Sequence, residues 1–144
     1  MAIKDTKRKP FIVDNDENVF VGIKLPFVKS DGPEGWFAST TTTIEAVKEN
    51  IKNLLSTHRG ERLMQPLLGL NLRQYLFEQI TDETRYTIQN SIVDTFRTWL
   101  PFVEIKDIKV GFESGDRNTM KINIIFNINR DPNTLESVQV EIGE

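Results

Sequence analysis

The chain lacks cysteine, has a single histidine, and contains no apolar run of the ~18 residues that a membrane-spanning helix requires. Without cysteine there is neither a disulfide framework nor a thiolate ligand, and His58 alone cannot build a multi-histidine metal site. No cofactor or metal is therefore expected, and no membrane partner. The basic opening (Lys4, Lys7, Arg8, Lys9) has no apolar h-region after it, so a cleaved secretory signal is not expected and the protein should remain where it is made. A net charge of −3 argues against a chain-wide nucleic-acid surface, because phosphate binding needs clustered Lys and Arg. Gly32-Pro33-Glu34-Gly35 lacks the Gly-Lys-Ser/Thr ending that grips phosphate and magnesium, so nucleotide binding has no support.

What is present is an ordinary globular composition. Charged residues make up 27% and hydrophobic ones 38% of 144 residues, and a chain of that length buries roughly two-thirds of its unfolded surface. Residues 1–17 run from basic to acidic around Phe11-Ile12-Val13 and read as an N-terminal arm, flexible unless a partner orders it. Residues 18–144 read as one domain.

Within that domain, Val19 to Phe27 predicts a short strand ended by Pro26, followed by a turn cluster from Ser30 to Gly35. The threonines after Ser39 offer N-caps for an amphipathic helix whose apolar face is Ile44, Val47, Ile51, Leu54 and Leu55. His58 and Arg59 are expected in its last turn, with Gly60 as the left-handed residue beyond. Pro66 and Gly69 break the chain before a short helix in the Leu70–Phe77 region. A second long helix is predicted from near Thr81, with Asp82 and Glu83 in its first turn, Ile88, Ile92, Phe96 and Trp99 on its apolar face, and Pro101 as its stop.

The period then changes to two. Val103 and Ile105 alternate, the phase slips at Lys106-Asp107, and Ile108, Val110 and Phe112 resume it, which predicts a bulge. A hairpin loop at 113–118 returns into Met120, Ile122, Ile124, Phe126 and Ile128. A turn at Asp131-Pro132-Asn133 precedes a final strand from Leu135 to Ile142 with Val138, Val140 and Ile142 on one face. The fold class is α+β: two main helices on one face of a small, mostly antiparallel sheet built by the C-terminal third. Its last strand should be an edge, open to strand addition.

No enzyme chemistry stands out. His58 precedes a glycine at a helix end, which suits dipole neutralisation better than general-base work without an oriented partner. A glycosidase needs two carboxylates in contrasting environments, and none of the 21 acidic residues is singled out. Glu61 and Arg62 are sequence neighbours that cannot face each other on a helix. Two readings stay open for them: a solvated pair at a turn, or an Arg62 fork that makes bidentate contacts at an interface. Trp36, Trp99 and most phenylalanines fall at positions read as core, Phe11 and Phe102 excepted.

One run is more particular. Leu55, Thr57, Gly60, Glu61, Arg62, Met64, Pro66 and Gly69 form the ordered pattern Leu-x-Thr-x-x-Gly-Glu-Arg-x-Met-x-Pro-x-x-Gly. This pattern resembles the signature of the phage baseplate wedge family that initiates contractile-tail sheaths, a family often labelled lysozyme-like and related to a baseplate subunit of type VI secretion systems. The resemblance covers about residues 18–130. It implies a non-enzymatic virion component of the tail baseplate, made in the host cytoplasm, that binds other wedge proteins and their helical core bundle. It further implies that the chain nucleates sheath assembly by presenting a sheath-like sheet, in a six-fold arrangement, with the tail tube as a further candidate partner.

The residues it marks for partner binding are Glu61, Arg62, Pro66 and Gly69. Where relatives carry Glu-Pro-Arg after the tryptophan, this chain has Leu100, Pro101 and Phe102, which suggests a hydrophobic version of that contact. Val138 and Val140 join these as the edge-strand candidates for sheath subunits. The alternatives are the equivalent subunit of a type VI or other contractile injection system, and a peptidoglycan hydrolase.

Overall fold

The computed structural model describes residues 19–30, 32, 35–114, 118–129 and 131–143. The N-terminal arm at 1–17 and residues 115–117 of the 113–118 hairpin loop lie outside these residues. Two helices and a three-stranded antiparallel sheet give a mixed α+β architecture.

Helix α1 spans Thr43–Ser56, opened by Thr42, whose hydroxyl accepts a hydrogen bond from the Glu45 N–H. Its buried face is Val47, Ile51, Leu54 and Leu55, as the spacing predicts. Helix α2 spans Asp82–Trp99 behind Thr81, whose hydroxyl accepts from the Thr84 N–H, and it buries Ile88, Ile92 and Phe96. It ends as Leu100 N–H donates to Phe96 O, and Val103 N–H to Leu100 O then turns the chain into the sheet. Between the helices, Leu72–Phe77 forms a short 3-10 helix that buries Leu72 and Leu76.

The sheet consists of β3 (Val103–Ser114), β4 (Asn118–Ile128) and β5 (Asp131–Gly143), with β4 in the middle. A smaller ribbon pairs β1 (Gly22–Ile23) with β2 (Ser39–Thr40). The register between β3 and β4 shifts between Ile105 and Asp107, the site of the phase slip in the sequence. Met120, Ile122, Ile124, Phe126 and Ile128 of β4 all face the core that the two helices cover. Helix α1 packs against β5 and α2 against β3, and Lys48 Nζ meets Glu136 Oε2 at 2.7 Å to tie α1 to the edge strand.

Three expectations need correction. Helix α1 stops before His58 and Arg59, because Thr57 turns extended (φ −83, ψ 128) and its carbonyl accepts from Leu70 N–H; loop closure displaces another helical turn. The last strand begins at Asp131, paired with Ile128, so Asp131-Pro132-Asn133 belongs to the strand rather than to a turn; a register shift between Phe126 and Ile128 lets the ladder continue. Several aromatics read as core are exposed: Phe20, Phe27, Trp36 and Phe37 flank a ribbon whose two-residue strands are too short to cover them, and Phe77 ends the 3-10 helix.

The ribbon is nonetheless anchored. Leu25 N–H donates to Glu49 Oε2 at 3.1 Å, while Lys52 Nζ holds Glu49 Oε1 at 2.9 Å. Gly22 comes close to both β2 and α1: a Cβ there would sit 3.0 Å from Thr40 Oγ1 and 3.4 Å from Ala46 Cβ.

Candidate functional site

The signature run folds into one closed loop between α1 and the 3-10 helix. Its neck is made by Thr57, whose N–H and hydroxyl both donate to Asn53 O, at 3.0 and 2.6 Å, and whose own carbonyl accepts from Leu70 N–H at 3.0 Å. A second tie crosses the loop from Gly60 N–H to Pro66 O at 2.8 Å. Gly60 and Gly69 both take positive φ, +89 and +101, where a side chain is strained. Only Gly69 is also crowded: a Cβ there would lie 2.8 Å from the Thr57 carbonyl carbon.

Glu61 and Arg62 each find a separate internal partner. Glu61 Oε2 accepts from His58 N–H at 2.9 Å, and Glu61 N–H donates back to His58 O at 3.1 Å, which closes a tight turn. Arg62 Nη2 donates to Asn53 Oδ1 at 3.0 Å, joining the loop to α1. Further turns run from Gln65 N–H to Arg62 O and from Leu68 N–H to Gln65 O. Glu61, Arg62, Pro66 and Gly69 are thus brought together, in roles that shape the loop. What the loop presents outward is apolar: Leu63 is 95% exposed, Met64 91% and Leu67 66%.

The other marked residues divide. Leu100 is buried in the core, whereas Pro101 and Phe102 are exposed on the turn into β3. Val138 and Val140 are buried beneath the helices, so their side chains are not at the surface. The strand that carries them is a sheet edge, as is β3, and neither pairs with anything but β4 among the described residues. A depression of about 340 Å³ beside the loop is lined by Arg59 and Leu67 on one side and by Ser91, Asp94 and Trp99 of α2 on the other. The loop tip therefore stands next to the end of α2 that leads into Pro101 and Phe102.

Among the described residues no cluster of three or more His, Asp and Glu could hold a metal ion. The carboxylate of Glu61 is committed to a backbone N–H rather than aimed at a cavity. Such features suit protein contact: an apolar tip on a braced loop, and two edge strands that pair only with β4 among the described residues.

Sequence reasoning did not single out Leu63, Met64 or Leu67 as surface. The available signal was three large apolar residues in a stretch punctuated by glycine and proline, with no helical or strand period to bury them. Trp36, 77% exposed and adjacent in sequence to Phe37, was missed for the same reason.

The family model described as baseplate wedge protein gp25 matches residues 41–133, more than half of the chain. Baseplate wedge protein gp25 of Enterobacteria phage T4 is 23% identical over 105 residues, 73% of this chain and 79% of that protein. Among solved structures, a chain in the six-fold symmetrised baseplate of the anti-feeding prophage superposes with a TM-score of 0.61 at 25% identity, over 76% of this chain and 85% of that one. A putative tail lysozyme from Geobacter sulfurreducens shares the fold, with a TM-score of 0.58 at 24% identity over 72% of this chain and 92% of that one.

Proposed function

This chain belongs to the gp25 family of baseplate wedge proteins, and from that premise we propose that it is a non-enzymatic wedge subunit that nucleates the sheath of a contractile tail. The observation that carries the reading is β5, a thirteen-residue antiparallel strand at the sheet margin. Its outer main-chain groups can take up a strand from a sheath subunit, and the hydrogen bonds of such an added strand need no particular side chains. Val138 and Val140 contribute by holding β5 on the core rather than by touching the partner. Pro101 and Phe102 offer an apolar contact to the helical core bundle of the wedge in place of a charged one.

Six copies around a tube would multiply modest single contacts into stable attachment. The same reading serves a phage virion, where the protein is made in the host cytoplasm, and the baseplate of another contractile injection system. Sheath subunits are to be mixed with tube–baseplates assembled with and without this protein. Sheath growth that depends on its presence is the expected result, and equal growth without it refutes the reading.

A further inference from the structure

We propose that the tip of the signature loop, Leu63, Met64 and Leu67 with Arg59 beside it, inserts into a concave apolar surface rimmed by carboxylates on a different chain of the baseplate. The proposal rests on the reading of this protein as a baseplate component. It reassigns the contact from the signature's own charged pair to the side chains that pair holds up.

The first ground is mechanical. Five backbone ties (Leu70 to Thr57, Gly60 to Pro66, Glu61 to His58, Gln65 to Arg62, Leu68 to Gln65) and two side-chain ties (Glu61 to His58 N–H, Arg62 to Asn53) brace the loop. An isolated stretch of that length would not hold a shape without such ties, and ordering it in advance lowers the entropy cost of binding. At the tip of this braced loop stand two nearly fully exposed apolar side chains, Leu63 and Met64. A long, unbranched Met side chain adapts well to an apolar pocket.

The second ground is charge. Arg59 lines the same depression as Leu67 and makes no ion pair among the described residues. Arg62 is bonded to a neutral amide oxygen and keeps its positive charge. Two acidic groups lie nearby. Glu61 is turned onto the His58 N–H, and Asp94 lies 3.8 Å from Arg97 Nη1. A second copy docked through the same surface would set Arg59 and Arg62 against their own counterparts, an arrangement that like charges oppose. A carboxylate rim on another protein answers both arginines.

The test uses assembled particles. Met64→p-benzoylphenylalanine is incorporated, the particles are irradiated, and crosslinked peptides are mapped. The proposal expects crosslinks to apolar residues flanked by Asp or Glu on another baseplate chain; crosslinks to a second copy of this chain or to a basic segment, or no crosslink at all, overturn it. In parallel, the L63S/M64S/L67S variant should keep the wild-type urea midpoint in isolation yet enter particles at least about tenfold less, the ratio expected from burying only part of three apolar side chains. R59E should reduce entry further at low salt than at high salt. A triple variant that enters as well as wild type, or that unfolds alone, overturns the proposal. Wild-type protein absent from the baseplate overturns the functional reading itself and this proposal with it.

Discussion

Gly69 packs against the Thr57 carbonyl so closely that no side chain fits between them, while the next residue, Leu70, donates its N–H to that same oxygen. The glycine is required twice over, for its φ of +101 and for the space, and the loop neck closes only because both demands are met.

Gly69→Ala should therefore cost more than the ~1–2 kcal/mol of a left-handed alanine, since the neck must also open. Gly60→Ala, at φ +89 with nothing near its Cβ, should cost only about 1 kcal/mol. Urea denaturation of the two variants side by side reads the difference, and equal losses would remove the crowding argument.

Arg62 and Asn53 should couple weakly. Their hydrogen bond is exposed to solvent, so Arg62→Ala should destabilise the isolated protein by about 0.5–1 kcal/mol, and a double-mutant cycle with Asn53→Ala should recover a coupling of that size. A coupling near zero would mean that the pair does not brace the loop in solution.

Val138→Ala and Val140→Ala should each lower stability by about 1–3 kcal/mol, because both side chains are lost from a packed core. The same substitutions made in assembled baseplates should impair sheath growth only in proportion to that loss. Impaired growth with unchanged stability would return these valines to the interface.

Glu49→Gln should loosen the ribbon without unfolding the sheet. The neutral amide keeps an acceptor for Leu25 N–H but loses the charge that holds Lys52. Hydrogen exchange at Leu25 and at the β1–β2 amides should accelerate while β4 amides stay protected. Faster exchange in β4 as well would show that the ribbon and sheet unfold together.

The parts legible in the sequence are those that periodicity governs. The β4 alternation from Met120 to Ile128, the bulge at Lys106-Asp107 and the apolar face of α2 each follow from a repeat that survives folding. The parts that were not legible depend on contacts distant in sequence. Thr57 ends α1 because Leu70, thirteen residues on, competes for its carbonyl, and no local propensity encodes that competition. The signature residues were visible as a set, yet the split between braces (Glu61, Arg62, Pro66, Gly69) and a presented tip, where Met64 stands with Leu63 and Leu67 from outside the pattern, required the loop's closure to be seen.

The most direct measurement is a cryo-electron microscopy map of the intact particle at side-chain resolution. The account predicts this chain in the inner baseplate, with the free edge of β5 hydrogen-bonded to a strand from the first sheath ring. A chain absent from the baseplate, or a β5 edge that faces solvent while the sheath contacts another surface, would contradict it.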